Sequence, residues 1–306
     1  MFNNYKNPII IFNPNSRGKK SKNILDKCKK IFLKEKFFEN IDIFESSSKQ
    51  HTIDAIIEIH NSNYDLIISI GGDGSISTIC NGLMKIEYKK RLPLFLIPGG
   101  SGNSFLRDFN IYSIKDAINN YKKNKSRMID LLLVENIDKT FKWYCINVVG
   151  LGFISNIAKY GEEKFNNFGA FKYVLATLFA LKEFKPYKTR ITYDNNKEFN
   201  SENVYFISLS NSKFTGGKIM IAPDAKYDDG LMDVIILSDL NRLMFLNGFR
   251  KVFKGNHIHD KGCYYFKTKS IEIHSTPDYN LMPDGDLESN SPIKVDVVSK
   301  QIKLVL

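Results

Sequence analysis

The sequence predicts an α/β domain followed by a mainly β domain: an N-terminal Rossmann-like parallel sheet and a C-terminal antiparallel β-sandwich. In residues 1–128, short apolar strands alternate with amphipathic helices, which is typical of a doubly wound sheet. In residues 129–306 the pattern changes to strands separated by turn signals, among them Asp-Gly at 229–230. A chain of 306 residues with 43% hydrophobic residues is long enough for two domains, and its last segment is a candidate to return to the first.

The elements of the first domain follow from apolar runs and from helical spacing. The predicted strands are 8–12, 41–44, 64–70 and 92–97, and the predicted helices lie around 24–32, 52–59 and 75–83. Four loops follow these strands, at 13–18, 46–51, 71–75 and 98–103. Because ligands collect at the carboxyl ends of parallel strands, the four loops are predicted to form the binding edge of the sheet.

The second domain is predicted to consist of seven strands interrupted by two helical regions. The strands are 128–134, 141–149, 188–193, 204–209, 231–237, 264–274 and 293–298, and the helical regions are 155–184 and 241–254. Residues 173–184 form a very apolar helix. Core packing and one wall of a lipid-tail pocket both remain open for this helix.

The segment Gly71-Gly-Asp-Gly74 separates a predicted buried strand from a predicted helix. Glycines let backbone N–H groups approach phosphate oxygens closely, and the helix N-terminus adds a favourable dipole. Holding phosphate does not require Asp73, so the sequence predicts that this carboxylate binds a divalent cation or moves a proton. The predicted cofactor-binding residues here are Gly71, Gly72, Asp73, Gly74 and Ser75, and Asp73 is also predicted to be catalytic.

Two further loops at the same predicted edge offer groups to a phosphate. The loop at 99–103 is a second glycine loop, and the loop at 13–18 combines polar side chains with positive charge. An ordinary turn that opens a basic helix remains an equal alternative for the loop at 13–18. Two glycine loops at one sheet edge favour a nucleotide site. The candidates in these loops are Asn13, Ser16, Arg17, Gly100, Ser101 and Asn103.

Two Asp-Gly turns in the second domain are less informative on their own. Residues 226–231 could hold a hard cation through a carboxylate and turn carbonyls, but Asp-Gly is the commonest hairpin signal. From spacing alone, a hairpin turn is favoured there. Residues 283–286 also fit a turn, or Asp286 could supply the base that an attacking hydroxyl needs.

Composition and charge narrow the classes of partner and compartment. The net charge of +11 predicts an anionic partner, although no recognition motif supports nucleic acid. The longest apolar stretch is too short to span a bilayer, and no signal peptide opens the chain. The four cysteines are widely spaced and form no CxxC pair. These features predict a cytoplasmic protein with reduced thiols, no zinc site and no transmembrane segment.

Together, these motifs resemble the catalytic family of diacylglycerol kinases, which includes the bacterial soluble lipid kinases and the sphingosine kinases. The resemblance covers nearly the whole chain, and its ordered set of motifs is far more specific than any one of them. The matching segments are 13–18, 46–51, 71–75, 81–83, 98–103, 130–131, 147–153, 223–233, 284–286 and 291–295.

The resemblance implies a two-domain kinase with its active site in the cleft, which uses ATP and Mg²⁺ to phosphorylate a lipid hydroxyl. It implies a structural metal site formed by Asp229 and the carbonyls of Lys226 and Leu231, which reverses the hairpin interpretation of that turn. It implies that Asp73 helps to organise catalytic Mg²⁺ and that Asp286 is the catalytic base. The implied nucleotide contacts are Asn13, Ser46, Gly72, Asp73, Ser75 and Ser101.

Three positions depart from the family pattern. Asp286 replaces the usual Glu, Thr78 stands where many members have Glu, and Ser104 stands where the bacterial diacylglycerol kinases usually have Asp. Aspartate is one methylene shorter than glutamate, and a displacement of about 1 Å can cost on the order of a hundredfold in rate. The departures therefore bear on catalysis and on substrate identity.

The substrate expectation is a neutral glycerolipid hydroxyl, with diacylglycerol to phosphatidate as the best candidate. The Gly-Ser-Gly-Asn run and residues 161–169 resemble the sphingosine kinase branch, but residues 154–159 lack the Asp that pairs there with a substrate amine. A sphingoid base or another lipid is therefore the nearest alternative. The lipid is expected at an anionic membrane surface, with the protein cytoplasmic and peripherally membrane-associated.

Two alternatives come from other functional classes. A soluble-metabolite kinase of the NAD kinase type shares Gly-Gly-Asp-Gly, but the Asn-Glu pair that usually follows is not found at a suitable place. A nucleotide-binding regulator that has lost catalysis is the second alternative, because of Thr78 and Asp286. Edge strands of the sandwich could also pair two chains into a homodimer.

Overall fold

A computed structural model of the protein describes residues 5–14, 21–165, 168, 172–194, 196–286 and 289–306. The chain divides into two compact units, one formed by Met1–Ile129 with Lys300–Leu306 and the other by Asp130–Ser299. Unit 1 contains β1 (Pro8–Phe12), α1 (Ser21–Glu35), β2 (Asp42–Glu45), α2 (Lys49–His60), β3 (Leu66–Gly71), α3 (Asp73–Leu83), β4 (Leu94–Pro98) and α4 (Ile114–Lys122). Short 3-10 helices cover Tyr88–Lys90 and Phe105–Phe109.

The sheet of unit 1 is parallel, in the strand order β2-β1-β3-β4, and the end of the last strand of the chain adds to β4. β1, β3 and β4 are buried along their whole length. This explains their uninterrupted apolar sequences, because helices cover both faces of such a sheet. The strand and helix alternation predicted for this part of the chain is confirmed.

The chain leaves β1 toward β2 on one side and later returns to β3 on the other side. This places the topological switch point between β1 and β3, where open α/β sheets bind their ligands. Phe12 pairs with Ile70 across these strands, and Gly71 pairs with Pro98 across β3 and β4. The residues that follow β1, β3 and β4 therefore leave the same edge of the sheet.

Unit 2 is mainly antiparallel. Its elements are β5 (Ser126–Asn136), β6 (Lys142–Cys145), β7 (Val148–Gly152), α5 (Phe153–Glu163), α6 (Lys172–Ala180), β8 (Tyr187–Tyr193), β9 (Lys197–Ser210), β10 (Phe214–Thr215), β11 (Ile219–Met220), β12 (Met232–Ser238), α7 (Arg242–Lys251), β13 (Cys263–Thr268), β14 (Ser270–Thr276), β15 (Asn280–Pro283), β16 (Ser289–Asn290) and β17 (Ile293–Val305). Further 3-10 helices cover Leu181–Glu183, Val252–Lys254 and Asn256–His259. β5 and β17 each begin or end in unit 1.

The long strand β9 organises unit 2. Its first half pairs with β8, and its second half pairs with β7 on one side and β12 on the other. The strands enclose a core of aliphatic side chains that includes Leu151, Ile207 and Val234. The predicted fold class, a parallel α/β domain followed by an antiparallel β domain, is confirmed for the two units.

Two predicted strands of unit 2 are each broken into two. The predicted strand 141–149 is divided at residues 146–147, and the predicted strand 264–274 is divided at Lys269. In the first break, the backbone N–H groups of Ile146 and Asn147 donate to the carboxylate of Asp284, as does that of Val148 at the start of β7. A carboxylate from a distant part of the chain leaves no trace in the local strand pattern.

The apolar segment predicted as a helix at 173–184 is α6 followed by a 3-10 turn. Ala176, Ala180 and Phe184 pack in one cluster with Phe153 and Phe245, which supports core packing for this side of the helix. None of the helices in the described part of the chain is long and apolar enough to cross a membrane. β13 is an edge strand that pairs with β12 alone among the described strands, and a homodimer stays a prediction.

Candidate active site

The first glycine loop joins β3 to α3 with no side chain at its centre. Gly72 is the N-cap of α3 and has no side chain that could accept a hydrogen bond from the first turn of the helix. The first N–H groups of a helix have no partner within the helix and carry its positive dipole end. The N-terminus of α3 is therefore suited to a phosphate, as the sequence predicts.

The two glycine loops touch each other through their backbones. A Cβ on Gly100 would lie 2.4 Å from the Cα of Gly72, and a Cβ on Gly99 would lie 2.9 Å from the N of Gly71. The N–H of Gly99 also donates to the carbonyl of Gly71 at 2.8 Å. Close packing of one loop on the other is thus the first reason for these glycines. Gly74 differs, because a Cβ there would meet no atom within 4 Å.

The carboxylate of Asp73 fastens the two loops together. Its Oδ2 accepts the N–H of Ser104 at 2.8 Å, and its Oδ1 accepts the N–H of Phe105 at 2.9 Å. Burial raises the pKa of the Asp73 carboxyl, and these N–H groups and the charge of Arg107 oppose that rise. A side-chain hydrogen bond from Ser104 acts in the same direction as these N–H groups. A carboxylate has about four lone-pair sites, so Asp73 can hold the loops and still accept a cation.

The second glycine loop is closed by its own asparagine. The Asn103 side chain accepts the N–H of Gly100 and donates to the carbonyl of Gly100, both at 2.9 Å. Ser101 is exposed at the tip of this loop. Beyond it, the buried Nε of Arg107 has no hydrogen-bond partner among the described residues, and the guanidinium carbon lies 5.5 Å from the ring centre of Tyr112. Arg107 adds a cation that the sequence interpretation did not assign.

Two other predicted nucleotide residues follow β1 and β2. Asn13 comes directly after β1 and is half-buried. The N–H of Ser46 donates to the carbonyl of Phe12 at 2.8 Å, and the Ser46 hydroxyl lies 2.5 Å from the hydroxyl of Thr52. These contacts bring the end of β2 beside the end of β1. Ser16 and Arg17, which were also predicted to bind the nucleotide, lie outside the described residues.

The predicted catalytic base lies on a turn of unit 2 that follows β15. Asp286 is exposed, and its N–H donates to the carbonyl of Pro283 at 3.2 Å. Asp284 and Gly285 both have positive φ, of 51° and 103°. Asp284 accepts the N–H groups of residues 146 and 147 at 2.9 Å, that of residue 148 at 3.4 Å, and the thiol of Cys145 at 2.8 Å. The turn is therefore bound to the bend between β6 and β7.

The predicted structural metal site lies on the turn before β12. Asp229 Oδ1 accepts the N–H of Leu231 at 3.1 Å, while the ammonium of Lys267 lies 3.4 Å from Asp229 Oδ2 and 3.2 Å from the buried Asp233. No three His, Cys, Asp or Glu side chains in the described ranges group together as a metal site, so a cation here would need the carbonyls of Lys226 and Leu231. An all-oxygen donor set fits Mg²⁺, but the charge of Lys267 competes with it.

Two groups near the predicted residues were missed at the sequence level, for different reasons. Asp284 stands two residues before Asp286 in the same Asp-Gly-Asp motif. Its nearness to the predicted base was the only sequence feature that could have indicated a role for it. Lys267 lies 38 residues beyond Asp229, on β13, and its sequence neighbours give no indication of that contact. Only the folded sheet brings it there, because β13 pairs with β12 next to the turn.

Comparison with known proteins gives this arrangement a family. The family model described as "Diacylglycerol kinase catalytic domain" matches residues 7–134. The model described as "YegS C-terminal NAD kinase beta sandwich-like domain" matches residues 147–306, and this match alone covers more than half of the chain. The chain therefore belongs to the diacylglycerol kinase family of lipid kinases. The predicted resemblance, fold class and enzyme class are confirmed.

Named diacylglycerol kinases are similar to this chain in sequence, and a solved structure is similar to it in fold. The chain is 29% identical to a diacylglycerol kinase of Staphylococcus aureus (strain bovine RF122 / ET3-1) over 289 residues, covering 94% of this chain and 88% of that protein. It is 29% identical to the diacylglycerol kinase of Bacillus subtilis (strain 168) over 247 residues, 79% of this chain and 78% of that protein. A crystal structure of a diacylglycerol kinase from Bacillus anthracis str. Sterne has a TM-score of 0.71 at 20% identity, covering 99% of this chain and 97% of that one. At that identity, the structural likeness shows the fold alone.

Proposed function

We propose that this lipid kinase transfers the γ-phosphoryl group of ATP to the free hydroxyl of diacylglycerol, giving phosphatidate and ADP. The observation that carries this proposal is the pair of glycine loops locked together by Asp73 at the edge of a parallel sheet. Two relatives that align with most of the chain bear the name diacylglycerol kinase, which supports the choice of substrate.

The phosphates of ATP would lie along the edge formed by the loops of unit 1. The uncapped N-terminus of α3 would donate backbone N–H groups, and Ser75 and Ser101 would donate hydroxyls. The side chains of Asn13 and Ser46 follow the neighbouring strands β1 and β2 and would contact the rest of the nucleotide. Gly74 would let a phosphate approach, because the space around its Cα is open.

Asp73 would hold the catalytic cation. Its two oxygens each accept one backbone N–H, and the carboxylate has about four lone-pair sites, which leaves capacity for a metal. Mg²⁺ bound there would neutralise the charge that develops on the transferred phosphoryl group. The Arg107 guanidinium, which interacts electrostatically with Asp73, would add a second positive charge beside the phosphates.

Asp286 would accept the proton of the lipid hydroxyl. As the hydroxyl oxygen forms its bond to the γ-phosphorus, the bond from that phosphorus to the bridging oxygen of ADP breaks and the proton passes to the carboxylate. The exposure of Asp286 leaves its carboxylate accessible to a substrate. Its shorter side chain, compared with the usual glutamate of the family, demands closer placement of the hydroxyl.

The kinase would meet its lipid from the cytoplasmic side, peripherally bound to an anionic membrane. In unit 2, α7 and the turn after it expose Leu243, at 77%, and Phe253, at 42%, and the same segment carries three exposed cationic side chains. Those cations are Arg242, Arg250 and Lys254. Apolar side chains within a cationic rim suit the headgroup region of an anionic bilayer.

The test is transfer of radiolabelled phosphate from ATP to a total lipid extract, resolved by chromatography. Wild type is compared with Asp73→Asn, Asp286→Asn and the control Asp278→Asn, which changes an exposed carboxylate shortly before β15. We expect one labelled lipid that migrates as phosphatidate, is made by wild type and by the control, and is lost in both other variants.

Other outcomes would each reject part of the proposal. A labelled product that migrates as a sphingoid phosphate would contradict the glycerolipid substrate. Label on NAD in detergent-free buffer would point to a soluble-metabolite kinase. ATP binding without any labelled product would indicate a regulator that has lost catalysis. Full activity of Asp286→Asn would reject that residue as the base.

A further inference from the structure

We propose that Asp284 is a positioning residue for catalysis, which fixes the turn that presents Asp286. This inference rests on the proposed role of Asp286 as the base and adds a second carboxylate with a different task. Asp284 would never touch the substrate. It would act through the backbone that it holds.

The carboxylate of Asp284 lies in a cradle of backbone donors. Three successive N–H groups, those of Ile146, Asn147 and Val148, donate to its two oxygens at 2.9, 2.9 and 3.4 Å. The thiol of Cys145 donates to Oδ1 at 2.8 Å. Successive N–H groups around one anion form a nest, and hydrogen bonds to a charged acceptor are stronger than those between neutral groups.

The backbone of the same turn is fastened to the same strand. The N–H of Asp284 donates to the carbonyl of Val148 at 2.9 Å, and Pro283 pairs with Val149 in the ladder between β15 and β7. Asp284 is therefore held through both its main chain and its side chain. Asp286 follows only two residues later.

The conformation of the turn needs this support. Asp284 adopts φ of 51°, a left-handed conformation that costs free energy for a residue with a Cβ, and Gly285 follows with φ of 103°. Such a conformation persists where surrounding contacts determine it, and the nest supplies those contacts. Since Asp286 has a shorter reach than glutamate, a loose turn would misplace its carboxylate directly.

Buried polar groups also hold the bend that forms the nest. Asn147 is 4% exposed and accepts from the Ser212 hydroxyl, and Asn211 donates to the carbonyls of Ile146 and Asp130, both at 2.9 Å. Both residues of the bend that binds Asp284, Ile146 and Asn147, are therefore also held by other buried polar side chains. Asp286 is thus connected through Asp284 to the interior of unit 2.

The experiment is a double-mutant cycle on kcat, with dioleoylglycerol in mixed micelles as the lipid. The variants are Asp284→Asn, Asp286→Asn and the double variant, with Asp278→Asn as the control. Asparagine keeps the shape but turns an NH₂ group toward backbone donors, so the turn loses its anchor.

We expect Asp284→Asn to lower kcat by about a hundredfold while the KM for ATP stays unchanged. In the Asp286→Asn background, the same change should lower kcat less than about threefold, because coupled residues are not additive.

A residue that merely stabilised the fold would lower kcat equally in both backgrounds, and that additive result would overturn the inference. If Asp286→Asn alone retained wild-type kcat, the proposed base would be rejected, and the positioning role would be rejected with it. A large loss for Asp286→Asn with an additive cycle would reject the positioning role alone. The two failures are therefore distinguishable.

Gly285→Ala keeps the test informative if Asp284→Asn does not fold. A Cβ at Gly285 would meet no atom within 4 Å, so the variant strains only the left-handed backbone of the turn and leaves the nest intact. We expect it to lower kcat in the wild-type background and to have little effect in the Asp286→Asn background. An equal loss in both backgrounds would again overturn the inference.

Discussion

Replacing Gly100 by alanine should separate the two glycine loops and impair both stability and ATP use. The new Cβ would lie 2.4 Å from the Cα of Gly72 and 3.0 Å from both the N of Gly72 and Oδ1 of Asn103. Carbon atoms in contact prefer about 3.5–4.0 Å, so the loops must move apart by roughly 1 Å. The obstacle is backbone, so no flexible side chain can give way.

The magnitude follows from this displacement. Overpacking of this kind costs about 1–3 kcal/mol of folding free energy, and each kcal/mol lowers Tm by roughly 2–4 °C in a domain of this size. The movement would also disturb the hydrogen bonds from Ser104 and Phe105 to Asp73. A shift of about 1 Å at a catalytic group can cost on the order of a hundredfold in rate.

Gly74→Ala is the matched control for this prediction. Its Cβ would meet no atom within 4 Å, and alanine in a helix is favoured over glycine by about 0.5 kcal/mol. Thermal denaturation and ATP binding are measured for both variants. We expect Gly100→Ala to lose stability and ATP affinity together, and Gly74→Ala to keep its Tm and lose ATP affinity alone. An unchanged Tm in Gly100→Ala would refute the argument from packing.

Three further predictions concern charge. Burial raises the pKa of Asp73 above its ordinary 3.8, so ionisation of this carboxyl opposes folding. The stability of the wild type relative to Asp73→Asn should therefore fall as pH rises from 3.8 toward the raised pKa. An opposite trend in Tm would contradict this. Lys267→Met leaves the fully buried Asp233 without its cation and should lower the free energy of unfolding by about 3 kcal/mol. Added Mg²⁺ should recover part of this stability. Lys269→Met, which changes an exposed lysine, should alter Tm little. Sedimentation with anionic vesicles should weaken at high salt and in Leu243→Asp, but not in Leu33→Asp, which changes an exposed leucine of α1. Salt-independent binding would contradict the cationic rim.

The parallel sheet and its loops could be predicted because their signals are local. Buried parallel strands are apolar along their length, and glycines mark the turns that follow them, so β3 and β4 were placed to within about two residues. The reason for the glycines was only partly visible. Gly100 faces Gly72 across the loops, and no local pattern predicts which backbone a second loop will touch.

The anchoring role of aspartate could not be predicted at either site. Asp73 is bonded to residues 31 and 32 positions away, and Asp284 to residues 136 to 138 positions away. In both motifs, the sequence interpretation assigned carboxylates to chemistry because Asp beside Gly at a loop is a common catalytic arrangement. The fold shows that a carboxylate in such a motif can also be a backbone anchor.

Three positions depart from the family pattern, at Thr78, Ser104 and Asp286, and the structure shows which contacts each of them makes. Thr78 is 5% exposed, and its hydroxyl donates to the carbonyl of Gly74 at 2.8 Å, so the residue that replaces glutamate supports the first turn of α3. Ser104 contributes its backbone N–H to Asp73, and its side-chain hydrogen bond also favours the ionised form of that carboxyl. The left-handed turn that carries Asp286 is held by the nest of N–H groups around Asp284. Phosphorylation of a lipid by the wild-type chain would distinguish an active kinase from a regulator, and the cycle on Asp284 and Asp286 then measures whether the anchor matters for kcat.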